Sequence, residues 1–297
     1  MRRSYKTGAR LRLRSFGFRL PRDYTPAMSA GSIVVAMSLI SFASTASAYL
    51  SSRPGAYDVS SEPVHAGQRD IRATYVRPLQ NQHPGYLLVF ITGDDGWFGT
   101  SAAVFAQLAE EHYMIAGISS PEALEPIVRS GERVNTPRAA QSLKELYAQM
   151  KRHLGLPDST PIVIVGFSRG ASVVAFTAAH PELQDDIAGA VAIALTREAD
   201  YLQVPQSRRG PDVQVDSQGR LQLYPALKLV GSTRLAVIQS THVDYVPAAE
   251  SRQLLGSDTS TLRLYEVEAK DHGFSDALGK LLQDLDAALH WIEHAPA

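Results

Sequence analysis

Pro161-Ile162-Val163-Ile164-Val165-Gly166-Phe167-Ser168-Arg169-Gly170-Ala171-Ser172-Val173-Val174-Ala175-Phe176 decides how this chain is read. Its opening five residues form the apolar, β-branched run of a strand buried on both faces. The small and apolar residues after Gly170 suit a helix laid on that strand. Between them, Gly166-Phe167-Ser168-Arg169-Gly170 is a tight turn with a serine at its apex. Side chains at the two glycine positions would collide with the neighbouring strand and helix. A Gly-rich turn in any doubly wound sheet has the same local pattern. Whether Ser168 carries chemistry therefore depends on partners supplied by other segments of the chain.

Outward from this segment, the chain alternates strands and helices. Arg72–Arg77 alternates in polarity and is expected to be an early strand. Leu87–Ile91 and Tyr113–Ile118 are apolar runs of the buried-strand type, as are 187–195, 235–239 and 262–267. Leu143, Leu146, Tyr147, Met150 and Leu154 recur at helical spacing. Thr136 is the expected N-cap of that helix, with Pro137 in its first position. A closing helix is expected to bury Leu278, Leu281, Leu282, Leu285, Leu289 and Ile292, capped by Ser275. Residues 49–62 are polar and read as a linker or edge. This order predicts a mostly parallel sheet with right-handed crossovers and helices on both faces. Segment 197–232 breaks the rhythm and is a candidate cap or lid excursion from a single domain over residues 49–297.

Gly-x-Ser-x-Gly between a buried strand and a helix is the nucleophile elbow of the α/β-hydrolases, where acid and histidine come after the serine in that order. Asp244 lies in Ser240-Thr241-His242-Val243-Asp244-Tyr245-Val246-Pro247, directly after a strand. His272 lies in Lys270-Asp271-His272-Gly273-Phe274, between the last strand and the last helix. Ser168, Asp244 and His272 are thus expected as nucleophile, orienting acid and general base. Asp271 competes with Asp244, but neighbouring side chains point apart. His242 and His180 are poorer candidates for the base. The oxyanion donors are expected to be the amides of Arg169 and of Asp94, in Thr92-Gly93-Asp94-Asp95-Gly96-Trp97. Asp95 and Trp97 are the expected substrate contacts, Trp97 as the wall of an acyl pocket or, equally, as a core residue. Nothing in the sequence calls for a metal or a cofactor.

The charge balance is split along the chain. Residues 1–28 carry eight basic side chains and one acidic one, leaving 21 basic and 29 acidic residues in the rest, a net of −8. An acidic body argues against nucleic acid as the partner. The basic start, the apolar core Ile33–Phe42 and the small-residue site Ala46-Ser47-Ala48 read as a secretory signal peptide over residues 1–48, with Met28 as an alternative start. Export to the periplasm is the expectation. The absence of cysteine excludes disulfides and metal–thiolate sites.

Thr92–Trp97 resembles the Ser-Gly-Asp-Gly-Gly-Trp signature of the bacterial VirJ/AcvB virulence proteins. The elbow, the Asn135-Thr136-Pro137 helix start and the Asp244 and His272 loops fall in matching order, over roughly residues 85–293. The resemblance implies an α/β-hydrolase fold, a periplasmic location and hydrolysis of lysyl-phosphatidylglycerol, with Ser168, Asp244 and His272 as the triad. Phe167, Arg169 and Ser172 depart from the Tyr, Phe and Asp of the family elbow, and 98–100 and 127–133 also diverge. The function expected is an exported serine hydrolase cleaving a carboxylic ester, on a small-molecule or lipid substrate, with peripheral contact to a membrane surface. A lysyl ammonium would pair with Asp94 and Asp95, and Arg129, Arg133 or Arg169 would meet a phosphate. The competing readings are a periplasmic binding or assembly factor on the same fold, and a general esterase or depolymerase.

Overall fold

Each apolar run becomes a strand of one eight-stranded sheet. The computed structural model describes residues 57–67, 69–80, 83, 85–210, 213–243 and 245–294. The signal peptide expected over 1–48 and the candidate acid Asp244 lie outside these residues. The strands are β1 (Tyr57–Ala66), β2 (Arg69–Pro78), β3 (Leu87–Ile91), β4 (Ile115–Ile118), β5 (Ile162–Phe167), β6 (Ile187–Ile193), β7 (Arg234–Ser240) and β8 (Leu262–Val267). Their order across the sheet is β1-β2-β4-β3-β5-β6-β7-β8. Only the pairs β1–β2 and β2–β4 are antiparallel; the pairs from β4 to β8 are parallel.

The parallel strands read as unbroken apolar runs because both of their faces are covered. In β3, Leu87, Val89 and Ile91 enter the core on one face, while Leu88 and Phe90 enter the core on the other. Ile162 and Ile164 against Val163, Val165 and Phe167 repeat this in β5. Helices α3 (Thr136–His153) and α4 (Arg169–Ala179) supply buried residues such as Leu146, Met150 and Val174 to the first face. Helices α1 (Gly99–Glu110) and α6 (Leu278–Glu293) supply Phe105, Leu281 and Leu285 to the second. Helices α2 (Ser120–Arg129) and α5 (Ala248–Leu255) complete the crossovers.

Some segments follow the sequence expectation and some helix caps differ from it. Residues 57–62, read as linker or edge, are the first part of β1, which pairs with β2 along its whole length as the sheet's edge strand. The cap of α3 is Asn135, not Thr136. The Asn135 backbone is extended and its Oδ1 accepts the Arg138 amide at 2.9 Å, so Thr136 is already the first helical residue. Ser275 does not cap α6; its amide and hydroxyl are both given to the Asp271 carboxylate, and the helix starts at Leu278. Segment 197–232 packs into the body. Glu198–Ala199 pairs with Leu221–Gln222, Leu202–Gln203 pairs with Val134–Asn135, and Tyr201, Leu202, Leu223 and Tyr224 join the core.

Candidate active site

The site sits at the carboxyl ends of β3, β5, β6 and β7, where open parallel sheets hold their ligands. Ser168 comes directly after β5 and has φ 53° and ψ −114°, a left-handed backbone that costs about 1–3 kcal/mol in a non-glycine residue. The surroundings enforce it. A Cβ on Gly166 would lie 2.4 Å from the Gly170 carbonyl oxygen, and one on Gly170 would lie 2.2 Å from the Ile91 carbonyl oxygen. Glycine at both positions lets α4 start against β3 with no side chain between. The Ser168 amide donates to the Ile193 carbonyl at 2.8 Å, which hangs the turn from β6.

His272 Nε2 lies 2.8 Å from Ser168 Oγ, bridging 104 residues of sequence. For the hydroxyl to donate to Nε2, the imidazole proton must sit on Nδ1. That Nδ1 is buried and has no hydrogen-bond partner among the described residues. Burial holds the His272 pKa below the usual histidine value, against the opposing pull of Asp94, Asp271 and Asp95. The rival carboxylate is spent elsewhere. Asp271 accepts both the amide and the hydroxyl of Ser275, and those bonds lower its pKa. His242 bonds to Thr241 at 2.9 Å, and His180 Nδ1 accepts the Glu182 amide at 3.4 Å as a helix cap. Neither serves Ser168.

The loop expected to carry the second oxyanion donor presses against the serine. A Cβ on Gly93 would meet Ser168 Cβ at 3.2 Å and Phe167 Cδ1 at 2.7 Å. Ser120 Oγ donates to the Gly93 carbonyl at 2.9 Å, and the Gly93 amide donates to Ser101 Oγ at 3.0 Å, pinning the loop from two sides. Arg169, the residue after the nucleophile, opens α4, where first-turn amides have no intrahelical acceptor.

Of the two readings of Trp97, the core placement is the one observed. The residue is 8% exposed, packs edge-on against Phe105 with centroids 4.9 Å apart, and fills the space that Gly117 leaves by having no side chain. A Trp→Ala change at such a position typically costs about 3–5 kcal/mol. Asp94 does line the cleft, but its carboxylate is engaged. Arg169 Nη1 lies 2.8 Å from Asp94 Oδ1, and Arg169 Nη2 lies 3.3 Å from Asp200 Oδ2. Burial raises the Asp94 pKa while Arg169 pulls it back down. Arg169 and Arg133 are thus both occupied, the latter by the Asp200 carbonyl, Gln203 and Gln218, and neither is free for a phosphate. Asp95 is exposed, and its carboxylate has no hydrogen-bond partner among the described residues.

The cleft around Ser168 and His272 has a volume of about 520 Å³. Segment 197–232 gives it one wall through Arg197, Glu198, Asp200 and Arg220, with Glu198 and Arg220 paired at 2.9 Å. Gln239 was not picked out from sequence. It is buried at the end of β7, accepts the Leu195 amide at 2.9 Å and donates to the Val246 carbonyl at 2.5 Å. It thereby holds the loop that carries Tyr245, whose ring centroid is 5.2 Å from that of His272. Its signal was an amide directly after the apolar run Leu235–Ile238.

No family model matches the sequence, and no curated protein matches it. Solved structures resemble its fold. The uncomplexed acylaminoacyl peptidase of Pyrococcus horikoshii aligns with a TM-score of 0.57 at 14% identity, over 84% of this chain and 43% of that one, so the chain spans less than half of the peptidase. A Klebsiella pneumoniae protein provisionally named a dienelactone hydrolase aligns at 0.56 and 16%, over 81% of this chain and all of that one. Est1E of Butyrivibrio proteoclasticus aligns at 0.52 and 14%, over 78% and 99%. These likenesses and the strand order identify an α/β-hydrolase fold.

Proposed function

We propose that the protein is a serine hydrolase that cleaves a carboxylic ester through an acyl-enzyme. The observation that carries this is the 2.8 Å contact from His272 Nε2 to a Ser168 hydroxyl on a left-handed elbow. In this reading His272 takes the Ser168 proton as Oγ bonds to the ester carbon. The amides of Arg169 and Asp94 hold the resulting oxyanion; Gly93, whose amide is already given to Ser101, leaves the next one free for the task. Collapse breaks the bond to the alkoxy oxygen, and the departing alcohol takes the proton from Nε2. Water then attacks the acyl carbon, giving its proton to Nε2. The acid leaves as that proton returns to Ser168 Oγ. Asp244 is assigned to accept the Nδ1–H. Support comes from the buried, unpartnered Nδ1 and from the next residue, Tyr245, beside the imidazole.

For the substrate we propose an aminoacylated phospholipid of the lysyl-phosphatidylglycerol type, met in the periplasm after export. The resemblance of Thr92–Trp97 to the VirJ/AcvB signature supports this. With Asp94 held by Arg169, the lysyl ammonium is assigned to Asp95. Exposed Tyr245 at the cleft and Phe98 beside the oxyanion loop support peripheral contact with a membrane surface. Reaction with a fluorophosphonate probe tests the chemistry. Wild type should label and Ser168→Ala should not; an unlabelled wild type favours a binding protein. Asp95→Asn should raise KM for a lysyl ester more than for a neutral ester, and equal effects refute the ammonium assignment. Residues 1–48 fused to a reporter that is active only outside the cytoplasm should give signal.

A further inference from the structure

A second cavity lies behind the catalytic cleft. It has a volume of about 240 Å³, opens to the surface, and is lined by α2, α3, β2 and the end of β3. The two spaces share a wall. On α4, Ser172 lines the cleft while Val173 lines the cavity; in the neighbouring segment, Asp200 lines the cleft while Tyr201 lines the cavity. The cavity interior is aliphatic, with Ile71, Ile91, Ile118, Leu124, Leu143 and Leu146 in its lining. Of its uncharged polar liners, Ser120 and Asn135 are already used, the first by the Gly93 carbonyl and the second by the Arg138 amide, and Ser142 and Tyr201 complete the set.

One feature marks it as a site rather than a packing gap: its rim is cationic. Arg69 and Arg138 line the cavity, are exposed, and have no ion-pair or hydrogen-bond partner for their guanidinium groups among the described residues. Glu132 is the acidic liner, and Arg133 beside it is held by Gln203 and Gln218.

We infer that this cavity binds a medium-chain aliphatic carboxylate, with its chain among the leucines and isoleucines and its head group on Arg69 and Arg138. The apolar lining selects the chain and the two open guanidinium forks select the carboxylate. An apolar cavity of about 150 Å³ accommodates benzene, so by proportion this one takes a chain on the order of ten carbons. The inference goes beyond ester cleavage and does not depend on Ser168 being a nucleophile.

Calorimetric titration of the full chain with decanoate, decan-1-ol and acetate tests it. Decanoate should bind saturably at one site, decanol at least about tenfold more weakly, and acetate not at all. The double variant Arg69→Gln/Arg138→Gln should bring decanoate down to the decanol level. Ala139→Phe, which fills the cavity, should abolish binding, while Ser168→Ala should bind like wild type. Absence of decanoate binding, equal affinity for decanoate and decanol, or binding undisturbed by Ala139→Phe overturns the site. Should Ala139→Phe fail to fold by circular dichroism, the arginine double variant decides alone. Loss of fluorophosphonate labelling with decanoate binding intact would remove the proposed hydrolase and leave this site standing.

Discussion

The two ends of the parallel sheet use the same side-chain chemistry to opposite effect. At the amino ends of β3 and β4, Glu293 from α6 gathers a histidine and two hydroxyls. Its Oε1 accepts from Tyr113 at 2.8 Å and from Tyr86, and lies 3.1 Å from His83 Nδ1. The other ring nitrogen of His83 lies 3.1 Å from the Glu111 carbonyl, and the ring stacks on Tyr113 at 3.8 Å. Both tyrosine hydroxyls are pushed away from ionisation, mainly by burial and then by Glu293. At the carboxyl ends, His272 touches one hydroxyl and keeps a buried nitrogen without a partner among the described residues. In the Glu293 cluster each hydroxyl and each ring nitrogen has a partner, and the cluster holds the closing helix to the sheet. The Ser168 cluster has capacity left over beside an open cleft. Satisfaction, more than residue type, separates a fastening from a reactive centre.

Breaking each end should separate them experimentally. Ser168→Ala should lower kcat for a chromogenic short-chain ester by on the order of 10⁶, and His272→Ala by a similar factor. Glu293→Gln should leave kcat within about twofold, and a loss matching that of Ser168→Ala would erase the distinction. Asp244→Asn should cost about 10⁴ in kcat with little change in KM, because the imidazole would lose its oriented tautomer. Glu293→Ala strands two phenols, Tyr113 buried and Tyr86 partly buried, so urea unfolding should report about 3 kcal/mol of lost stability, at unchanged kcat per folded molecule. The smallest effect concerns pH. Neutral imidazole is the working form, and burial lowers the His272 pKa, so the acid limb of kcat/KM should fall below the ordinary histidine value of 6.5. Among the described residues Asp94 leads the charges that favour imidazolium, so Asp94→Asn should move that limb further down; an upward move would contradict this assignment.

How far the sequence carried depends on the range of the interactions. Strand identity was legible because covering both faces of β3, β5, β6 and β7 demands unbroken apolar runs, a local signal. The meeting of Ser168 with His272 was legible because fold order fixes which loops converge. Asn135 displaced Thr136 as cap because both residues can cap and only backbone geometry chooses between them. Trp97 stayed open between pocket wall and core because one aromatic in a loop carries no sign of which way it turns; here Gly117 opens the space that receives it. The Asp94–Arg169–Asp200 pairing and the Glu293 cluster were invisible. Each joins residues from three or more separate segments with no shared periodicity.

The left-handed backbone of Ser168 has a practical consequence. Glycine would occupy that turn with less strain, so the residue on which the proposed chemistry depends is also one where a substitution should make the protein sturdier. A library screened for melting temperature alone would be drawn toward replacing it. The winners would be robust and inert, which makes activity the necessary second filter for anyone hardening this scaffold.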